Sequence, residues 1–136
     1  MVFLLDSNAF SDLMRKHPRV EAQLAALGPN DKVVICPIVR GEILYGLARL
    51  PPGRRLEDLT QQAAPLFATI GCEIVPESAG DAYARIKRAR EQQGLSLDEN
   101  DLWIAATASA LDAILVTRDR DFGSVEGLTT VDWTAA

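Results

Sequence analysis

The chain has 136 residues, of which 48% are hydrophobic and 24% charged, and its formal net charge is −5. These values are typical of one globular domain spanning residues 1–136, and the negative charge does not by itself suggest a nucleic-acid partner. No apolar stretch approaches the ~20 residues that span a bilayer, and Asp6 interrupts the N-terminal apolar run too early for a secretory signal, so we expect a cytoplasmic protein without a membrane association.

The first half of the chain alternates short apolar runs with helical patterns. Val2–Leu5 predicts a buried strand that ends at Asp6. The carboxyl group of Asp6 can cap a helix over Ala9–Lys16. After Pro18 the pattern predicts a second helix, a second strand and a third helix, at Arg19–Leu27, Lys32–Cys36 and Ile38–Leu50.

The second half continues the alternation after the break at Pro51-Pro52-Gly53. A possible capping box at Ser96–Glu99 predicts the start of the last helix, which runs to about Ala110. The other predicted elements, in chain order, are a helix Arg54–Ile70, a strand Cys72–Val75, a helix Ala79–Gln93 ended by Gly94, a strand Ile114–Thr117 and a weaker strand Leu128–Val131. This order predicts a three-layer α/β/α fold with a mostly parallel sheet of four to five strands.

Four carboxylates occupy the ends of these apolar segments. Asp6 and Asp119 follow predicted strands, whereas Glu42 and Asp101 fall in the first turns of predicted helices. In parallel sheets, ligands bind beyond the carboxyl ends of the strands, at the point where the strand order reverses. Four acids in one crevice would repel one another, so this pattern predicts a cation site and a metal-dependent enzyme.

Other common catalytic or metal sites are hard to build from this chain. His17 is the only histidine, and it lies in a polar Lys-His-Pro turn. Cys36 and Cys72 lack the spacing of a metal motif and are best explained as small apolar side chains. A Ser-His-Asp triad, a zinc site and a histidine-pair ribonuclease are therefore disfavoured.

Four motifs follow one another along nearly the whole chain. They are Leu4–Asn8, Val39–Gly46, Asn100–Ala108, which is the most specific, and Leu115–Phe122. In order and spacing these motifs resemble those of PIN-domain ribonucleases, and the size and motif style are similar to those of the VapC toxins of prokaryotic toxin–antitoxin modules.

The resemblance implies an endoribonuclease that depends on Mg²⁺ or Mn²⁺ and hydrolyses RNA with a water activated by the metal. The loop that contains Asp121 departs from the usual family pattern, because it is one residue shorter than in many relatives. Asp121 is therefore an alternate to Asp119 as the fourth acid. The residues carried over from the family are the acids Asp6, Glu42, Asp101 and Asp119, with Asn8 and Thr117 as polar residues that hydrogen-bond the first acid.

The resemblance also implies the partners of the protein. Transfer RNA is the commonest substrate class, and ribosomal and messenger RNA stay open. A VapB-type antitoxin is expected to bind the protein and to insert a basic side chain among the acids. A homodimer is expected too, with Arg19–Leu27 and Ile38–Leu50 as candidate interfaces, and DNA would be contacted only through the antitoxin.

Five arginines are candidates for contacts with RNA phosphates. Arg118 and Arg120 flank Asp119, which ties them to the acid loop. The other three are Arg40, Arg85 and Arg88. A solvated helix face explains Arg85 and Arg88 equally well.

Two alternative functions remain open at this point. A catalytically inactive PIN-like module that binds nucleic acid or protein would be expected to have lost one of the acids, and none is lost. A phosphatase with an aspartate nucleophile would need a second Asp where Asn8 stands and a later lysine, but no lysine follows Lys87.

Overall fold

Five short parallel strands lie at the centre of the computed structural model, which describes residues 1–136. The sheet is wholly parallel rather than mostly parallel, because every neighbouring pair of strands runs in the same direction. The strands are β1 (Val2–Leu5), β2 (Lys32–Ile35), β3 (Gly71–Cys72), β4 (Ile114–Val116) and β5 (Thr130–Val131). Their order is β3-β2-β1-β4-β5. The order therefore reverses between β1 and β4, where an α/β sheet opens a crevice.

Six α-helices connect these strands, and parallel crossovers of this kind cover both faces of a sheet. Helix α1 packs against α2, α3 and α4, and α5 packs against α6. The bounds are α1 (Ser7–Met14), α2 (Pro18–Ala25), α3 (Pro37–Ala48), α4 (Arg54–Thr69), α5 (Ser78–Gln92) and α6 (Glu99–Ala110), with a 3-10 turn at Arg120–Ser124. No helix combines the length and apolar character that a membrane crossing requires.

The helix ends match the sequence prediction in two of three places. Asp6 caps α1 by accepting a hydrogen bond from the Ala9 amide at 2.8 Å. Gly94 follows α5 with a φ of +71°, as predicted for a glycine that ends a helix. The predicted capping box before α6 is wrong, because Asp98 is the cap and accepts from the Asn100 amide at 3.2 Å.

The two outer strands are shorter than predicted. β3 was expected at Cys72–Val75, but it covers only Gly71–Cys72, and one further bond joins the Glu73 amide to the Ile35 carbonyl. β5 was expected to begin at Leu128, whose amide instead bonds to Val125 in a turn. Both strands are sheet edges with a single neighbour, so fewer ladder bonds extend them.

A single cluster of 28 buried apolar residues forms the core. The last two residues of β1 and of β4 are fully or almost fully buried, which fixes the position of the residues that follow them. Phe10 of α1 is fully buried and stacks on Phe67 of α4, with ring centroids 4.9 Å apart. This contact holds α1, and with it the end of β1, against α4.

Phe10→Ala should therefore lower the free energy of unfolding by about 3–5 kcal/mol, because it removes a buried ring and leaves a cavity. Urea denaturation measures the change. Ile74→Ala is the matched control, since the Ile74 side chain is 78% exposed and its loss should cost less than about 0.5 kcal/mol. Equal effects of the two substitutions would contradict this account of the core.

Candidate functional site

Asp6 lies at the carboxyl end of the central strand, and its side chain is 4% exposed. Its amide donates to the Val116 carbonyl at 3.1 Å, which places it beside the end of β4. Its carboxylate caps α1 through the Ala9 amide. Both bonds use the backbone, so the position of this acid is fixed by the sheet and by the first turn of α1.

Burial raises the pKa of Asp6 above its usual value. The Thr117 hydroxyl, the Ala9 amide and the Arg118 guanidinium favour the ionised form, whereas the charge of Asp119 adds to the increase. Burial and the neighbouring acid outweigh the groups that favour ionisation. An additional positive charge near Asp6 would therefore stabilise its carboxylate.

Glu42 lies in the second turn of α3, not in the first turn as the sequence suggested, because α3 begins at Pro37. The Ser7 hydroxyl donates to its Oε1 atom at 2.6 Å. Since Ser7 directly follows Asp6, this bond draws α3 to the end of β1. Ser7 was missed by the sequence analysis, which gave no reason to pair residues 35 positions apart.

Asp101 lies in the first turn of α6, and its pKa is raised to about 6. Burial is the largest cause, and the negative charges of Glu42, Asp98, Asp119 and Asp6 follow in that order. The charges of the other three predicted acids thus all act on Asp101. Asp98 joins them as a residue that the sequence analysis treated only as part of a cap.

Asp119 and Asp121 differ in their surroundings. Asp119 is partly buried, and its Oδ1 atom accepts from the Asp121 amide at 2.9 Å, which starts the 3-10 turn. Its own amide donates to the Thr117 hydroxyl at 3.0 Å. The charge of Asp119 raises the pKa of both Asp6 and Asp101. Asp121 is exposed and is not among the main causes of either pKa shift.

The two predicted supporting residues also differ. Thr117 is buried beside Asp6 and favours its ionised form, in line with the predicted role. Asn8 is exposed and makes no hydrogen bond to Asp6, because the Asp6 carboxylate faces the Ala9 amide instead. Asn8 lines a cleft beside Glu42.

That cleft has a volume of about 380 Å³ and carries cations next to the acids. Its lining includes Asn8 and Glu42 together with three arginines, Arg15, Arg49 and Arg55. A larger cavity, of about 590 Å³, lies elsewhere, between α1, α2 and α4, and none of the four predicted acids lines it.

Asp12, a buried acid that the sequence analysis did not select, binds two arginines near the predicted acids. Asp12 is 2% exposed, and its two carboxylate oxygens bind Arg15 and Arg118, the latter at 3.2 Å from Nε. The i, i+3 spacing of Asp12 and Arg15 on a helix could have suggested half of this arrangement. The Arg118 contact spans 106 positions and had no sequence signal.

The five predicted phosphate contacts are spread over the molecule. Arg118 and Arg120 lie at the acid loop, and Arg120 is exposed and makes no hydrogen bond within the chain. The other three have neighbours of their own: Arg40 lies 4.6 Å above the Phe67 ring, Arg85 donates to the Ser109 hydroxyl, and Arg88 pairs with Glu91.

The donor set fits a hard divalent cation. Its members offer carboxylate oxygens only, which suit Mg²⁺ and Mn²⁺, and His17 is occupied in capping α2. None of the six ion pairs of the protein includes any of the four predicted acids. As the side chains lie, no three of them form a closed ligand cluster, which is consistent with acids that repel one another.

Comparison with known proteins identifies relatives over almost the full length. The family model of the PIN domain matches residues 3–128. Ribonuclease VapC1 of Haemophilus influenzae strain R2866 is 29% identical, covering 98% of this chain and 99% of the relative. Ribonuclease VapC2 of Rickettsia felis is 30% identical, covering 98% of each chain. The crystal structure of VapBC2 from Rickettsia felis bound to a DNA fragment from their promoter matches with a TM-score of 0.88 at 26% identity, covering 98% of this chain and 99% of that one.

The raised pKa of Asp101 predicts how stability depends on pH in the absence of divalent metal. The folded state holds a proton on Asp101 up to about pH 6, whereas the ordinary pKa of an aspartate, as in the unfolded chain, is 3.8. Ionised Asp101 therefore destabilises the fold above pH 6, and the penalty disappears as the pH falls towards 4. In EDTA at pH 8, Asp101→Asn should be more stable than the wild type by about 1–2 kcal/mol, after allowance for its partial exposure.

Urea denaturation of both proteins at pH 8 and at pH 4 measures this difference, which should vanish at the lower pH. Asp58→Asn, at an exposed position of α4, is the matched control and should leave stability nearly unchanged at both values. Equal stability of the wild type and Asp101→Asn at pH 8 would contradict the repulsion described above.

Proposed function

The chain belongs to the PIN-domain family and is a ribonuclease of the VapC type, and from that premise we propose that it hydrolyses RNA with Mg²⁺ or Mn²⁺ as the toxin of a type II toxin–antitoxin pair. The proposed metal dependence rests on one observation, the raised pKa of Asp101. Its pKa rises to about 6 because burial combines with the charges of four neighbouring carboxylates. A bound divalent cation would reverse this penalty and favour all the ionised forms.

The metal would be held by Asp6, Glu42, Asp101 and Asp119, and when bound it would polarise a phosphodiester of the RNA as a Lewis acid. The chain itself positions these oxygens. The backbone fixes Asp6, the Ser7 hydroxyl orients Glu42, and the Asp121 amide orients Asp119. We assign Asp119 rather than Asp121 to the fourth position, since its charge acts on both Asp6 and Asp101.

The RNA backbone would approach along the cations that border the acids. The Arg120 side chain is exposed and makes no hydrogen bond or ion pair within the chain, and Arg118 stays partly exposed while it binds Asp12. The cleft beside Glu42 adds Arg49 and Arg55. Lysine and arginine side chains in such places bind phosphates without reading the sequence. We propose transfer RNA as the substrate, on the family resemblance alone.

The partner would be a VapB-type antitoxin, and DNA would be bound only through it. Support comes from the relative of Rickettsia felis, whose structure is that of a VapBC2 complex on a promoter fragment. A basic side chain of the antitoxin placed among the four acids would relieve the same repulsion as a metal ion. A homodimer through α2 or α3 belongs to the same proposal.

The two alternative functions receive less support from the structure. An inactive binding module would not be expected to keep the other three acids close enough to raise the pKa of Asp101. A phosphatase would need an acid in place of Asn8, which is an exposed amide side chain.

Asp6→Asn should reduce RNA cleavage to the uncatalysed background and weaken Mn²⁺ binding. Asparagine keeps the carbonyl oxygen that caps α1, so the fold should survive while the charge is lost. Cleavage of a transfer-RNA pool in Mg²⁺ or Mn²⁺ measures activity, EDTA should stop it, and calorimetric titration with Mn²⁺ measures binding. Cleavage by Asp6→Asn at the wild-type rate would refute the proposed function.

Asp119→Asn and Asp121→Asn form the matched pair that tests the fourth position. We expect Asp119→Asn to weaken Mn²⁺ binding and Asp121→Asn to leave it close to the wild-type value. The reverse result would assign the position to Asp121. Both variants should be compared at the same pH, because the charge of Asp119 also affects the pKa of Asp101.

Arg120→Gln should raise the KM for RNA about three- to tenfold without changing Mn²⁺ affinity, because it removes one phosphate contact. The slope of log KM against log salt concentration should fall by about one. Arg88→Gln is the comparison, since Arg88 already pairs with Glu91 on an exposed face. A larger effect at Arg88 than at Arg120 would show that RNA runs along α5 instead.

A further inference from the structure

Arg90 is a buried cation without an acidic partner. It lies in the last turn of α5, is 5% exposed and takes part in none of the ion pairs of the protein. A buried charge of this kind is costly unless its hydrogen bonds are satisfied. Its conformation is therefore set by the groups that accept those bonds.

The acceptors belong to two separate segments of the chain. The Nη1 atom donates to the Ser124 hydroxyl at 3.0 Å and to the Asp121 carbonyl at 3.5 Å. The Nη2 atom donates to the Ser96 carbonyl at 3.1 Å. The Nε atom is buried without a partner, so the two terminal nitrogens make all the hydrogen bonds of the guanidinium.

Each of these segments carries acids of the candidate metal site. The 3-10 turn, Arg120–Ser124, begins at its cap Asp119. Ser96 lies two residues before Asp98, the cap of α6, and α6 carries Asp101 in its first turn. Arg90 thus joins the segment that presents Asp119 to the segment that presents Asp98 and Asp101.

The base of Arg90 is itself well fixed. Helix α5 ends two residues after it, at Gln92, and the Leu95 amide donates back to the Arg90 carbonyl at 2.9 Å in the turn that Gly94 permits. The guanidinium therefore extends from a rigid helix end. A planar fork with its two terminal nitrogens directed to different segments is specific to arginine, because a lysine presents a single nitrogen.

We propose that Arg90 is a positioning residue, whose guanidinium joins the Asp119 turn to the Ser96–Asp98 segment and so sets the distance between Asp119 and Asp101. It does not touch the metal or the RNA. The inference rests on the proposed function, in that these acids are taken as the metal ligands. Groups that orient ligands in this way affect metal affinity strongly.

Amide hydrogen exchange tests the coupling without any metal. The informative amides are those of Asp121, bonded to Asp119, and of Asn100, bonded to Asp98. In Arg90→Met both should exchange about tenfold faster, because each segment loses a charged donor. The Asp6 amide, bonded across to β4, should be unchanged. Acceleration of all these amides alike would reveal a general loss of stability and overturn the proposal.

Titration with Mn²⁺, followed by calorimetry, tests the consequence for the site. Arg90→Met should bind Mn²⁺ about tenfold more weakly than the wild type, and Arg90→Lys should not restore the affinity. Arg54→Met, the same change at an exposed arginine of α4, should match the wild type. Wild-type affinity in Arg90→Met, or full recovery in Arg90→Lys, would overturn the proposal.

Ser124→Ala covers the case in which Arg90→Met does not fold. It removes one acceptor of Nη1 and keeps the arginine, so exchange should accelerate at Asp121 and not at Asn100. No change at Asp121 would contradict the coupling. If the wild type itself fails to bind Mn²⁺, the proposed function fails, whereas the exchange experiment still decides whether Arg90 joins the two segments.

Discussion

Repulsion between carboxylates that the fold gathers around Asp101 is the constraint on which the rest of this structure depends. The sheet creates this repulsion, because β1 and β4 pair in parallel at the point where the strand order reverses. This pairing brings Asp6 next to the end of β4. The helices add to it, since α3 and α6 bring in Glu42 and Asp101. The cost is visible in Asp101, whose proton is held up to about pH 6. Such a cost persists only where surrounding structure imposes the arrangement.

The arginines near the acids form no ion pair with them, and only Arg118 partly offsets the charge of Asp6. Arg15 and Arg118 bind the buried Asp12, and Arg90 binds carbonyl and hydroxyl oxygens. Glu42 is held by the hydroxyl of Ser7, which orients a carboxylate without cancelling its charge. An arginine bound directly to these acids would compete with a metal ion. The network instead pairs its positive charges with other groups, and if the four acids hold a metal, these charges would position them from one layer away and lie near the path of the RNA phosphates.

The sequence predicted those parts of the site that depend on local patterns. Asp6 and Asp119 could be identified because a short apolar run precedes each, and Gly94 because a glycine commonly ends a helix. Asp98, Asp12 and Arg90 could not be identified, since their roles depend on contacts that the sequence does not display. Arg118 reaches Asp12 across 106 positions, and Arg90 reaches Ser124 across 34. The lengths of β3 and β5 were overestimated for a related reason, because an edge strand ends where its one neighbour stops pairing.

An unneutralised site has a consequence for control of the enzyme. Whatever cation enters the crevice relieves the same repulsion, so a metal ion and a basic side chain from a bound antitoxin would be alternative occupants of one place. Their binding would then be mutually exclusive, and a rising concentration of either would lower the apparent affinity of the other. Both would also stabilise the fold relative to the empty protein, because each binds the native arrangement of acids and not the unfolded chain. An antitoxin that inhibits the enzyme in this way would therefore also stabilise its fold. Both effects would arise because the bound cation relieves the repulsion at Asp101, as a metal ion would.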